Sequence, residues 1–562
     1  MIYIMVLQLF KKIHPICYFV LFASIIFHYK IGIQNIWPGN VDWLLQASDW
    51  PQHYLGWEFF RRTSWNFPLG DFQNILYPAN TNIGFTDSIP LLAILLKIFS
   101  GILPDIFQYI GLWIFINIVL QGYFAYLIFK KLQFSTASAI VAGILLQFTP
   151  ALISRINHPA LTAHWLILFI IYNYISFNNT KRDIYLNFAP IILSSMIHPY
   201  LAIMIIPLSI ANLFRFDSLK TRLITIPIAL IIPILLWYSI GYFVDYSIGD
   251  SQSLGYYSAS LQTFFNPLYA IWDHHLRDAS LWLDPRNQRY MLQYEGFAYL
   301  GAGVLIGAFI ALLYIAKRLI THYKKIIPFI KKTILSGIHN RTIIFWLGII
   351  VVSLYAILYR DIVTMYLEPY ARLPFIRIFL DKAGVIRANG RFIWPLMYIV
   401  IIGIIYLINK VFSKKALYIL IILLGIQMID ISPLLKLQLF KEKEIVSVKS
   451  ESSIFWQNTI KEYKGVYMYP GGQRSYKSLD DYIIFTFWAA QNNIPINAGY
   501  LSRYDLPIVQ KFNLQIEKNL VNNNLDPNIL YITTKDHKDL FQTASKNTNR
   551  VLAEFDDYYI IR

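Results

Sequence analysis

Apolar residues fall along this chain in repeated blocks of about 17 to 25 positions, parted by stretches rich in aromatic, amide and basic residues. A block of that length, wound as an α-helix, reaches across a hydrocarbon core of about 30 Å. About eleven crossings are expected, near 13–31, 105–129, 134–154, 160–178, 184–198, 200–214, 223–244, 296–316, 342–359, 391–409 and 416–433. A further run, Ser88 to Leu103, is only about sixteen residues long, with Pro90 near its start and Lys97 inside it. It is expected to be a re-entrant or interfacial helix, not a crossing. After Pro433 the pattern changes. Short β-rich runs (Gly465 to Tyr469, Ile529 to Thr533, Val551 to Phe555, Tyr558 to Ile561) alternate with helical patterns at Asp480 to Asn493 and Leu506 to Leu520, which predicts an α/β domain. The expected organisation is a polytopic helical membrane domain over 1–435 and an extracytoplasmic α/β domain over 436–562.

Composition and charge sharpen that picture. Of 562 residues 56% are hydrophobic and 14% charged, against about 25% charged in ordinary soluble domains. The net charge of +17 would raise nucleic-acid binding in a soluble protein. Here the basic residues sit at span ends (Lys11/Lys12, Lys130/Lys131, Lys181/Arg182, Arg215/Lys220/Arg222, the run Lys317 to Arg341, Lys410/Lys414/Lys415), as the positive-inside rule requires. Nucleic acid is therefore excluded as a partner. With those clusters inside, the N-terminus is cytoplasmic and the α/β domain lies outside, in the periplasm or beyond. The first apolar block lacks a small-residue cleavage pattern and reads as a retained helix. Cys17 is the lone cysteine, so an internal disulfide is impossible.

Polar material collects on the expected outer side, in segments 32–104, 245–295 and 360–390. The first holds SDWPQHYLGWEFFRR. Asp49 precedes Trp50-Pro51 and takes the position of a helix N-cap. Trp50, Tyr54, Trp57 and Phe60 follow at helical spacing, a stripe suited to lying among lipid headgroups. Two readings of Asp49 stand: a cap of an interfacial anchor helix, or a general base or metal ligand with His53 one turn on. His158, His164 and His198 lie at outer span ends, either hydrogen-bonded structural residues or substrate contacts. Glu295, at the start of a span, reads equally as a membrane-facing acid or an exposed loop residue. Arg387 and Arg391 stand on the outer side, where the positive-inside rule disfavours them. A guanidinium fork suits phosphate oxygens, and the alternative is pairing with acids such as Asp381 or with headgroups. Tyr256 and Tyr257, in an aromatic and amide-rich loop, suit either sugar stacking or aromatic-belt packing.

Taken together, an acid after the first helix, a polar outer first loop, a re-entrant run, a crossing that ends in Lys130-Lys131 and an outer C-terminal domain resemble the GT-C class of integral membrane glycosyltransferases. SDWPQHYLGW, DSIPLLAILLK and RANGRFIWP are similar to segments of an uncharacterised bacterial branch of that class. The resemblance covers about residues 10 to 435. It implies inverting transfer of a sugar from a polyprenyl-phosphate donor to a glycan, lipid or protein acceptor of the envelope, on the outer face of the inner membrane. It implies Asp49 as the base, with His53 beside it, and Arg387 or Arg391 at the donor phosphate. Asp87, His158, His164, His198, Tyr256, Tyr257 and Glu295 are the expected substrate contacts. A divalent metal, Mg or Mn, would fall to Asp49, Asp71 and Asp87. The chain departs from the paired acids of many such enzymes, since Trp50 follows Asp49. Two other functions fit the layout, a non-catalytic envelope-assembly protein and a lipid or polysaccharide transporter. The near absence of charge at span centres and of an internal repeat counts against the transporter.

Overall fold

The computed structural model of the chain describes residues 13–46, 49–244, 254–270, 276–288, 291–339, 341–436, 448, 450–472 and 482–562. Lys11, Lys12, the side chain of Asp381 and the start of the expected helix at Asp480 lie outside them. Every segment expected to cross is helical. Among the described residues, six helices are long and apolar enough for a membrane: Ile110–Lys131, Thr136–Asn157, Pro159–Ser176, Leu219–Ile240, Ala302–Thr321 and Asn389–Phe412. A seventh is Ile343–Ala356 with Arg360–Tyr370, if that pair, bent by 91°, is one span. Pro15–Lys30, Pro199–Leu213 and Ala416–Asp430 are apolar but shorter. The expected count of eleven thus shrinks to six helices that meet the length on their own. Several apolar blocks spend part of their length on turns, such as His198-Pro199 between two helices. The Ser88–Leu103 run holds a helix of only eight residues, Pro90–Lys97.

The chain divides into two compact units. The first comprises residues up to Ile33, Trp113–Ile234 and Gly249–Leu439; the second comprises Gln34–Leu112, Leu235–Ile248 and Phe440–Arg562. In the first, polar side chains lock helix ends. The buried Asp430 carboxylate accepts from the Ala302 backbone N–H and the Tyr299 hydroxyl, both at 2.8 Å. It thereby caps the start of the helix Ala302–His339, where backbone N–H groups have no partner inside the helix. Thr180 and Asp183 form a capping box at Lys181–Ile197.

In the second unit the helix Trp50–Arg62 is almost wholly buried; of its residues only Arg62 keeps appreciable exposure. This corrects the expected surface helix. Its aromatic stripe meets protein instead: Trp50 meets Trp43 at 5.1 Å, Tyr54 stacks on Phe487 at 6.3 Å and Trp57 meets Tyr109 at 5.3 Å. Phe487 belongs to the helix Ile483–Gln491. Gly56 lets the strand of chain after Phe85 come close, because a Cβ there would stand 2.4 Å from Thr86. Among the described residues two short antiparallel pairs occur, β1 (Asp71–Phe72) with β2 (Thr81–Asn82), and, in the first unit, β3 (Leu268–Ala270) with β4 (Leu276–Asp278).

The C-terminal region is α/β, as its alternating pattern predicts. Strands β5 (Gly465–Tyr469), β6 (Ile529–Thr534), β7 (Leu552–Phe555) and β8 (Tyr558–Ile561) form one sheet in the order β5-β6-β8-β7. β5 and β6 are parallel, so the helices Ile483–Gln491 and Leu506–Val521 serve as the crossover. β7 and β8 form a hairpin whose turn residues Asp556 and Asp557 both have positive φ, the backbone a two-residue turn demands. Ile516, Leu520, Tyr531, Phe541 and Ile561 make the core of this region.

Candidate functional site

The strongest concentration of buried charge lies in the first unit. Glu295 sits in the short turn Met291–Gly296, just ahead of the long helix that begins at Ala302. Its Oε2 accepts from Arg155 Nη1 and from Arg391 Nε, both at 2.9 Å. All three side chains are buried. Arg155 opens the turn Arg155–Asn157 at the end of one membrane helix, and Arg391 lies in Asn389–Ile393 at the start of another. Arg155 also donates through Nη2 to the Tyr294 and Glu295 carbonyls. Its buried Nε has no hydrogen-bond partner among the described residues. Burial pushes the Glu295 carboxyl up, but Arg391 and Arg155 together outweigh it and hold the group well below the usual carboxylate range. Glu295 is therefore a fixed anion, unsuited to take a proton from substrate. Two guanidiniums thus converge on one carboxylate.

Backbone proximity builds this triad. A Cβ on Gly390 would lie 2.5 Å from the Tyr257 carbonyl oxygen and 2.8 Å from Gly296 Cα. Only glycine allows the Arg387–Arg391 turn to settle against the Glu295 turn. The preceding Asn389 anchors it by donating from Nδ2 to the carbonyls of Tyr355, Ala356 and Leu358 at the end of Ile343–Ala356. Gly390→Ala should cost about 1–3 kcal/mol through overpacking against atoms that cannot yield. A melting temperature equal to that of the wild-type protein would show that the turn can move away.

Around the triad lie several of the residues singled out from sequence. Arg391 stacks over Tyr200 at 4.8 Å, and Tyr200 accepts from the Ala388 backbone. His198 accepts from the Tyr200 N–H through Nδ1, at the start of Pro199–Leu213. Arg387 is exposed and covers the Tyr257 ring at 5.4 Å. His158 is close enough to act on the Glu295 charge. His164 is fully buried, bonded through Nδ1 to the Tyr398 hydroxyl at 2.7 Å and packed in a tilted ring contact with Trp394 at 4.3 Å. The Arg155 guanidinium covers that same Trp394, at 5.7 Å. Tyr256 instead takes the Arg360 guanidinium, at 5.6 Å. Sequence reasoning missed Arg155. The signal was present, since it too is an arginine at a helix end that the charge pattern of the sequence puts on the expected outer side.

With this geometry described, comparison with known proteins places the chain. The model of the "Domain of unknown function (DUF6311)" matches residues 20–432, and that of the "DUF6311 C-terminal domain" matches 455–562. The chain belongs to the DUF6311 family. No curated protein matches this DUF6311 chain in sequence. Among solved structures it is similar to the archaeal oligosaccharyltransferase AglB from Archaeoglobus fulgidus in complex with an inhibitory peptide and a dolichol-phosphate. That likeness has 12% identity and a TM-score of 0.43, over 96% of this chain and 72% of the other. A second structure of the Archaeoglobus fulgidus oligosaccharyltransferase, with Zn and sulfate, has 13% identity and a TM-score of 0.40, over 94% and 70%.

In the second unit of this DUF6311 chain stand the other candidates. Asp49 occupies the N-cap position of Trp50–Arg62, but its side chain makes no capping hydrogen bond and its backbone is helical, which corrects the capping expectation. His53 is buried, with Nδ1 against the Thr86 carbonyl at 3.2 Å. Asp71 accepts from Asn82 Nδ2 at 2.8 Å, and burial raises its carboxyl. Asp87 has φ 52° and Ile89 φ 55°, left-handed conformations that cost about 1–3 kcal/mol each at non-glycine residues. Between them the Ser88 hydroxyl donates to the His53 carbonyl at 2.6 Å. Among the described residues, no group of three or more His, Cys, Asp and Glu could hold a metal ion. Glu58, unremarked in the sequence, is the most deeply buried acid here. It pairs with Arg62 at 2.5 Å and Arg61 at 3.6 Å and accepts from Gln491. Burial raises its carboxyl in spite of both arginines.

Proposed function

We propose that this protein is a membrane glycosyltransferase that moves a sugar from a polyprenyl-phosphate donor to an envelope acceptor. In this reading Arg155 and Arg391 hold the donor phosphate. The observation that carries the reading is two buried guanidiniums gathered at one carboxylate, with the buried Arg155 Nε making no hydrogen bond among the described residues. A buried donor left unbonded is costly, and a phosphate oxygen would accept from it. Arg387 and Tyr257 would line the exposed side of the same site.

The chemistry needs little more than this from the chain. The acceptor oxygen attacks the anomeric carbon from the face opposite the phosphate, and the carbon–oxygen bond to phosphate breaks. The bond's electron pair leaves with the polyprenyl phosphate, and the guanidiniums meet that growing charge. Glu295 stays ionised and keeps both forks oriented. The hydroxyl proton passes to a base. No step is assigned to a metal.

Mass spectrometry of lipid-linked sugars and surface glycans tests the proposal in cells with and without the protein. Loss should remove one sugar and accumulate its lipid-phosphate donor. The wild-type gene should restore it, whereas Arg391→Ala and Asp49→Asn should not, although both variants reach the membrane. Unchanged glycans and donors in the deletion strain would end the proposal.

A further inference from the structure

The aromatic stripe expected to rest on lipid is buried in protein, yet the second unit does expose a large apolar patch elsewhere. Beyond the helix Pro90–Lys97 the chain presents Ile98 at 63%, Phe99 at 52% and Ile102 at 82% exposure, with Leu95 beside them. Lys97 is the single charged residue between Asp87 and Asp105, and it is not at the surface. Its ammonium folds back over Phe60 at 4.0 Å and Trp65 at 4.6 Å and donates to the Ser64 carbonyl. Burial pulls its pKa down to about 8. The exposed tip therefore carries no charge at all.

The patch continues from there. Trp65 is half exposed, and two residues on Phe67, 62% exposed, meets Tyr238 at 5.5 Å. Tyr238 lies in the last turn of Leu219–Ile240, one of the helices able to cross the membrane. The backbone fixes this level, since Leu69 and Gly70 donate to the carbonyls of Ser239 and Ile240. Phe67 thus stands where an apolar helix of membrane length ends. Phe243, also exposed, follows on the same helix exit.

We infer that the tip Ile98–Ile102, together with Trp65 and Phe67, is a membrane-inserting wedge through which the second unit grips the lipid surface. The helix that carries it, eight residues long, is far too short to cross about 30 Å of hydrocarbon, so it enters and leaves on one side. Immersion of about 5–10 Å, usual for interfacial segments, covers the tip and leaves Trp65 at headgroup height. Continuity with the span end favours lipid over a second copy of the chain as the occupant. The wedge side also holds the helix Trp50–Arg62, because Ser88, two residues before Pro90, bonds to His53. Asp49 and His53 would thereby be kept close to the bilayer surface.

Spin labels test this directly. Cys17, the only cysteine, is first changed by Cys17→Ser. Phe99→Cys, Ile102→Cys and, as a solvent reference on the C-terminal helix, Lys518→Cys are then labelled with a nitroxide and placed in liposomes of phosphatidylcholine and phosphatidylglycerol. The ratio of oxygen to nickel-chelate collision should be several-fold higher at 99 and 102 than at 518. A ratio at 99 and 102 equal to the reference would overturn the wedge. Shielding of both positions from both reagents would overturn it too, in favour of a contact between copies. Two labelled positions keep the test valid if one variant folds poorly.

Discussion

Glu295→Gln should lower the stability of the protein by about 3–5 kcal/mol, the cost of leaving buried charges without their partner. Two guanidiniums would then face each other with no anion between them. Thermal unfolding in detergent reads the change, and the double variant Glu295→Gln with Arg155→Met should recover part of it by removing the repulsion. The pH dependence follows from the depressed carboxyl. Its folded-state pKa lies below the unfolded value, so its stabilisation is complete above the ordinary carboxylate range. It is lost only as pH falls through the lower, folded value. The wild-type protein should keep the triad at a pH where exposed acids have already taken up protons, and the glutamine variant should lose that part of its acid dependence. Equal melting curves for both proteins would mean the triad contributes nothing net.

Arg391→Lys should leave stability closer to wild type and strike transfer instead. Lysine keeps the charge but has no planar fork, so it cannot meet Glu295 and a phosphate oxygen in the same geometry. Loss of one such electrostatic contact to developing charge costs about 10²–10³ in turnover. Transfer from a short-chain polyprenyl-phosphate sugar in liposomes is the measurement. Full activity in this variant would remove Arg391 from the donor site and leave the triad a purely structural device.

Much of the architecture was legible from pattern alone. The four C-terminal strands were found within a residue or two, because alternation bounded by turn residues has few other solutions. RANGRF stood out because arginines before an apolar helix break a charge rule, and Glu295 was noticed for standing at a span's start. Their pairing was invisible, since 96 positions separate the two. Trp50, Tyr54, Trp57 and Phe60 show the limit most clearly. A helical apolar stripe states that one face avoids water, but lipid and a neighbouring helix satisfy it equally. The covering helix, Ile483–Gln491, comes from the far end of the chain. Glu58 hid for the same reason, as its partner Gln491 is 433 positions away.

That separation has a consequence for how the protein is made. At the usual pace of about 5–20 residues per second, a ribosome needs roughly 20 to 90 s to travel from Glu58 to Gln491. For most of that interval the helix Trp50–Arg62 has left the ribosome while the protein face that will cover Tyr54 does not yet exist. A nascent chain arrested before the last hundred residues should therefore leave this helix open to protease, and release of full-length protein should close it.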